Sequence, residues 1–78
     1  MTGAAKYRIP DVLNHGQQLI GEVKNVGYLR YTQQIQDFNM YAQKYGYRFE
    51  LTIRASTTLS SRIVEEVARG NIILRYLP

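Results

Sequence analysis

Residues 32–54 read TQQIQDFNMYAQKYGYRFELTIR, and this stretch decides the fold. Its first half has the period of a helix. Ile35, Phe38, Tyr41, Ala42 and Tyr45 recur at three- and four-residue steps and make one apolar stripe. Thr32 supplies an N-cap hydroxyl, and Gly46 supplies the residue that closes a helix C-terminus. The second half switches to a period of two. Tyr47, Phe49, Leu51 and Ile53 fall on one face, with Arg48, Glu50, Thr52 and Arg54 on the other. That is the clearest strand in the chain. On this reading Tyr41, Tyr45 and Tyr47 stand at core positions, where packing explains them better than base stacking does.

Upstream, Lys6 to Leu13 alternates loosely through Tyr7, Ile9, Val12 and Leu13. Pro10 makes it an edge strand or a strand with a break. Asn14-His15-Gly16 is a turn signal. Gln17 to Val26, with Leu19, Ile20, Val23 and Val26, is β-branched enough to prefer strand, so the two runs predict a hairpin. Downstream, Ala55 to Leu59 reads as a Ser/Thr-rich loop. Ser60 or Ser61 can cap a second helix carrying Ile63, Val64, Val67 and Ala68, closed by Gly70. Asn71 to Leu77 is a last apolar strand. The predicted order is β-β-α-β-α-β, a small α/β sandwich with parallel neighbours late in the chain. Met1 to Ala5 reads as a frayed start, and residues 6–78 as one domain.

Size and composition bound the function. The chain has 78 residues, too few for a second domain. It has no cysteine, which excludes disulfides, thiolate zinc sites and a cysteine nucleophile. No apolar run is long enough for a membrane span, and the start lacks the apolar core of a secretory signal. A net charge of +4 points to anionic partners, nucleic acid first.

Asp11 follows Pro10, and Glu22 and Lys24 flank Val23. On a strand, side chains at i and i+2 share a face, so Glu22 and Lys24 project together. If the two runs pair, Asp11 can arrive beside Glu22. Two converging carboxylates suit a hard divalent cation, Mg²⁺ or Mn²⁺. An ammonium beside them can orient water and stabilise charge developing on a phosphoryl group. By itself the Glu-x-Lys spacing also describes an ordinary solvated strand face.

Pro10-Asp11 followed by Glu22-Val23-Lys24 resembles the PD-(D/E)xK motif of the restriction-endonuclease fold. Further stretches are similar to the restriction-endonuclease-fold toxin domains at the C-termini of bacterial polymorphic toxins, including Rhs-type, contact-dependent and secretion-system effectors. They are Gly21 to Val26, Tyr31 to Asp37, Tyr41-Ala42, Tyr47 to Leu51, Thr58 to Ser60 and Gly70 to Ile72. The resemblance implies a small restriction-endonuclease-like core and a metal-dependent endonuclease, with DNA a better expectation than RNA. It implies Asp11 and Glu22 as metal ligands, the Val23 carbonyl as a third, Lys24 acting on the attacking water, and a helix glutamine nearby. Gln34 is the better match for that glutamine and Gln33 the alternative. It also implies a cognate immunity protein and a delivered effector working in the target-cell cytoplasm.

The fold usually carries a helix before its first strand, and only Met1 to Ala5 precede that strand here. Either the sequence is a piece of a longer chain, or a partner or second copy, as in a homodimer, covers the exposed sheet face. Arg30, Tyr31, Arg48 and Arg54 are candidates for nucleic-acid contact, though strand and loop positions also suit plain solvent exposure. His15 reads as a turn residue with no second histidine to make a zinc site. Arg62 and Glu66 read as an ordinary i, i+4 helix pair. The competing functional readings are a non-catalytic nucleic-acid-binding module on the same fold and a fragment inactive without its N-terminal part.

Overall fold

The computed structural model describes residues 9–78. The frayed start at Met1 to Ala5 and the beginning of the first strand at Lys6 lie outside the described residues. Eight elements follow in chain order: β1 (Val12–Asn14), β2 (Leu19–Lys24), β3 (Tyr28–Leu29), α1 (Gln33–Tyr45), β4 (Arg48–Ile53), β5 (Thr58–Leu59), α2 (Ser61–Ala68) and β6 (Ile73–Tyr76). The main sheet has the order β1-β2-β4-β6. β1 and β2 form the expected antiparallel hairpin, with Val12 opposite Gly21. β2, β4 and β6 run parallel.

The hairpin turn takes Gln17 and Gln18 out of the second strand. The Asn14 side chain accepts from Gln17 N at 2.9 Å, and Gln18 sits at φ 52°. The expected loop at Ala55 to Leu59 is corrected in part. Thr58 and Leu59 pair in parallel with Tyr28 and Leu29 as a two-stranded sheet of their own. Periodicity does not register pairs this short.

α1 begins and ends where the sequence places it. Thr32 Oγ1 accepts from Ile35 N at 3.3 Å, and Gly46 adopts the left-handed φ of 75° that a side chain would resist. Its buried stripe differs from the expected one. Ile35, Phe38, Asn39 and Ala42 are buried, while Tyr41 and Tyr45 are 41% and 51% exposed. Positions i, i+3, i+4 and i+7 make a narrower face than the one that includes the tyrosines, and Asn39 takes the seat because a polar partner meets it there. On α2, Ser60 is the cap, its Oγ reaching Ile63 N at 3.5 Å. Val64 and Ala68 are exposed, and Ile63 and Glu66 are buried.

Because β2, β4 and β6 follow in order across the sheet, right-handed crossovers put both helices on the same face. The core lies between. Ile20, Phe49, Leu51 and Ile53 of the sheet pack with Ile35, Phe38 and Ala42 of α1 and Ile63 of α2. Phe38 meets Phe49 edge-on at 6.2 Å. Strand alternation sends Gly21, Val23, Glu50 and Thr52 to the other face. A Cβ on Gly21 would lie 3.0 Å from Val12 Cβ, so a side chain there would force Val12 to shift. No described helix is long and apolar enough to cross a membrane.

Candidate active site

Ile20, Glu22 and Lys24 share the helix-facing side of β2. Ile20 enters the core, and Glu22, two residues on, is drawn in with it to 4% exposure. Lys24 sits opposite Ile53, at the carboxyl end of the parallel strands, where open α/β sheets place their sites. Asp11 precedes β1 by one residue, so the hairpin register carries it to Glu22. The two are laced together. Asp11 N donates to Glu22 Oε1 at 3.1 Å, and Val23 N donates to Asp11 Oδ2 at 2.7 Å. From α1, Gln34 Oε1 accepts from Lys24 Nζ at 2.9 Å, and the same ammonium stands 3.3 Å from Glu22 Oε2.

Asp11, Glu22, Lys24 and Gln34 therefore converge, although they come from three separate stretches of the chain. Gln33 does not join them, because its amide donates to Asp37 Oδ1 at 2.9 Å. Lys24 offsets the burial of Glu22, and Gln34 holds Lys24 at the edge of the pair. No group of three or more His, Asp or Glu side chains suited to a metal occurs among the described residues. The donors available at this strand end are the two hard carboxylates of Asp11 and Glu22. They fit Mg²⁺ or Mn²⁺, which keep several water or phosphate oxygens of their own. The Val23 side chain itself points to the open face and is 42% exposed.

The nucleic-acid candidates divide between two regions. Arg54 follows β4 directly, and its Nη2 would lie 3.6 Å from a Cβ on Gly27 in the segment after Lys24. Arg30 is exposed just after β3. Both belong to the carboxylate end. Tyr31 turns toward the helices instead: its hydroxyl accepts from Asn39 Nδ2 at 2.9 Å, and the Arg62 guanidinium lies 5.1 Å over its ring. Arg48 pairs with Leu19 at the opposite end of β2. That is roughly 17 Å from Lys24 at about 3.3 Å per residue. His15 is also at that end, its Nδ1 hydrogen-bonded to the Tyr47 hydroxyl. Burial pushes the Tyr47 phenol above its ordinary value, and the Tyr41 phenol beside it adds to the rise.

Glu66 is more than one half of a helix pair. It is 3% exposed and sits at the centre of a network between the helices. Asn39 Nδ2 and Asn71 Nδ2 donate to its Oε1 at 2.7 and 3.0 Å, while Arg69 and Arg62 stand 3.3 and 3.6 Å from Oε2. The Asn39 hydrogen bond holds the carboxyl below its usual range, against burial, with help from Asn71 and the two arginines. The signal was present in the sequence: Asn39 and Glu66 each occupy a core phase of an amphipathic helix, and each is the polar group the other requires.

A family model described as restriction endonuclease fold toxin 7 matches residues 1–63. The matched span contains Asp11, Glu22, Lys24 and Gln34 and ends before Glu66. No curated protein and no solved structure matches the chain.

Proposed function

The chain belongs to the restriction endonuclease fold toxin 7 family, and from that premise we propose that it is a metal-dependent nuclease toxin domain that hydrolyses phosphodiesters, DNA in preference to RNA. The observation that carries this reading is the meeting of Asp11, Glu22, Lys24 and Gln34 at one strand end.

Asp11 and Glu22 would hold Mg²⁺ or Mn²⁺, with the Val23 carbonyl beside them. Such an ion, when bound, supplies Lewis acidity toward a phosphoryl oxygen and toward water. The chain's own groups do the rest. Gln34 and Glu22 fix the Lys24 ammonium, so its charge is aimed before substrate arrives. The ammonium orients the attacking water and meets negative charge that grows on the phosphoryl oxygens only in the transition state. Arg54 and Arg30 contribute phosphate contacts on the same end, which positions the strand without reading its sequence. The biological role is that of a delivered effector acting in the cytoplasm of a target cell, held in check in the producer by an immunity protein.

The deciding experiment is plasmid cleavage by the purified chain with Mg²⁺, with Mn²⁺ and with EDTA, alongside Asp11→Asn. Cleavage that needs the cation and disappears in the variant supports the reading. Undiminished cutting in excess chelator removes the metal, and cutting of RNA alone reverses the substrate.

A further inference from the structure

The end of the sheet remote from Asp11 and Glu22 carries an aromatic cluster that phosphodiester hydrolysis does not use. Tyr41 and Tyr45, one turn apart on α1, hold their ring centroids 4.6 Å apart. Tyr47, just before β4, meets Tyr41 edge-on at 5.5 Å. Met40 beside them is 64% exposed. Lys44 lies 5.3 Å over the Tyr45 ring, and among the described residues neither Lys44 nor Arg48 has a carboxylate partner. Met40, Tyr41, Lys44 and Tyr45 help line an open hollow of about 580 Å³.

Three features of this cluster point to a protein partner. The rings brace one another, so little side-chain freedom remains to be lost on contact. Tyrosine, methionine and arginine are the residue types enriched at the centres of protein interfaces. The rings stand at 49° and 73° to each other, so they offer no run of parallel faces on which successive bases could stack. The charge selects the partner. A two-fold contact of this patch with a second copy would bring Lys44 and Arg48 toward their own kind, whereas an acidic surface complements them.

We propose that Tyr41, Tyr45 and Tyr47, with Met40 among them and Lys44 and Arg48 at the rim, form the docking surface for an acidic protein, the immunity protein; this rests on the toxin reading above. The partner seats away from the carboxylates and leaves them open. It keeps nucleic acid off by its bulk and by negative charge that repels phosphate.

The probe is the immunity protein, defined as the protein whose co-expression lets cells survive induction of the parent chain. Its affinity is measured by calorimetry in chelator for the parent, for Tyr41→Ser/Tyr45→Ser, for Lys44→Glu and for Val64→Ser, an exposed control on α2. The expected result is a loss of about 100-fold or more for the double variant, the scale of two aromatic anchors. Lys44→Glu should lose about 10-fold at low salt and less at high salt, a readout that does not depend on replacing a ring. Both variants should keep DNA affinity and cleavage rate. Parent-like immunity binding by both variants overturns the docking surface and leaves the toxin reading standing. Loss of DNA affinity in the double variant instead makes the rings a base platform. A parent dimer that the double variant dissociates makes the occupant a second copy. An immunity protein that protects cells without binding the parent chain overturns both this inference and the immunity part of the toxin reading.

Discussion

Two glutamates are buried among the described residues, Glu22 on β2 at 4% exposure and Glu66 on α2 at 3%. Their surroundings differ in kind. Glu66 is ringed by donors from four side chains, and every neighbour favours its charge. Glu22 has one ammonium and one backbone N–H, and that N–H belongs to Asp11, whose own carboxylate accepts from Val23 N. Burial is the same in the two places, so burial does not distinguish the proposed metal ligand from the structural glutamate. The difference lies in the donors: four side chains surround Glu66, whereas Glu22 has Lys24 and the Asp11 backbone.

The largest effects come from breaking the Glu22 side of this contrast. Lys24→Met should lower cleavage about 10⁴-fold, roughly 5.5 kcal/mol of barrier, while DNA still binds through the arginines. The same change leaves Glu22 without its ammonium and should cost about 1–3 kcal/mol of stability in chelator. Added Mg²⁺ should restore part of that loss, since a cation would again face the carboxylates. Cleavage on expression, filter binding and thermal melts with and without Mg²⁺ check the three parts. A Lys24→Met chain that cuts like the parent removes Lys24 from the mechanism.

Glu66 should answer to the opposite tests. Glu66→Ala strands Asn39 and Asn71 and frees two arginines from a buried partner, at about 3–5 kcal/mol. For a chain of 78 residues that is a large share of the total. Urea titration measures it, and the folded fraction should retain the parent's cleavage rate. If Glu66→Ala stays folded and stops cutting, the division between the two glutamates is wrong.

Most of the fold was legible because its signals are local. The switch of period at Gly46, the Thr32 cap and the alternation from Arg48 to Ile53 each need only a few neighbouring residues. The convergence at Glu22 was legible for the same reason, since a hairpin register brings Asp11 to it. What the sequence left open depends on contacts between distant elements, and at Asn39 and Glu66 the core phase of each polar residue marked a need without naming the partner. Asn39 displaces the tyrosines from the α1 stripe only because Glu66, on another helix, meets it. Pairing of Tyr28–Leu29 with Thr58–Leu59 joins segments too short to show a period. The placement of Arg48 away from Arg54 was implicit in the strand, whose polar face spans both ends of the sheet.

An effect of intermediate size should come from acid acting on Glu66. The folded state holds the Glu66 carboxyl below its ordinary value of 4.5, chiefly through Asn39. The ionised form is therefore the one the fold favours. Its contribution is fully present above the ordinary value and is lost as pH falls through the depressed folded one. Stability measured by urea at a series of pH values should fall on the acid side of 4.5, and Glu66→Gln should flatten that fall. An unchanged slope in the variant would assign the acid sensitivity to other carboxylates.

The smallest effect should come from Arg62→Gln, which probes how redundant the Glu66 network is. Arg62 is 56% exposed and its Nε stands 3.6 Å from Glu66 Oε2, a longer contact than those of Asn39, Asn71 or Arg69. Solvent screens a charge held this far out, so the ion pair contributes less than about 1 kcal/mol. The guanidinium also covers the Tyr31 ring, and losing that contact adds about 0.5–1 kcal/mol at an exposed site. The carboxylate keeps three donors when Arg62 goes, so no buried charge is orphaned and the large penalty of Glu66→Ala does not arise. Thermal melts should show a shift of a few degrees, and cleavage should be unchanged because neither Arg62 nor Tyr31 touches the carboxylate end. A loss comparable to that of Glu66→Ala would mean that Arg62, and not the asparagines, is what keeps the Glu66 charge inside.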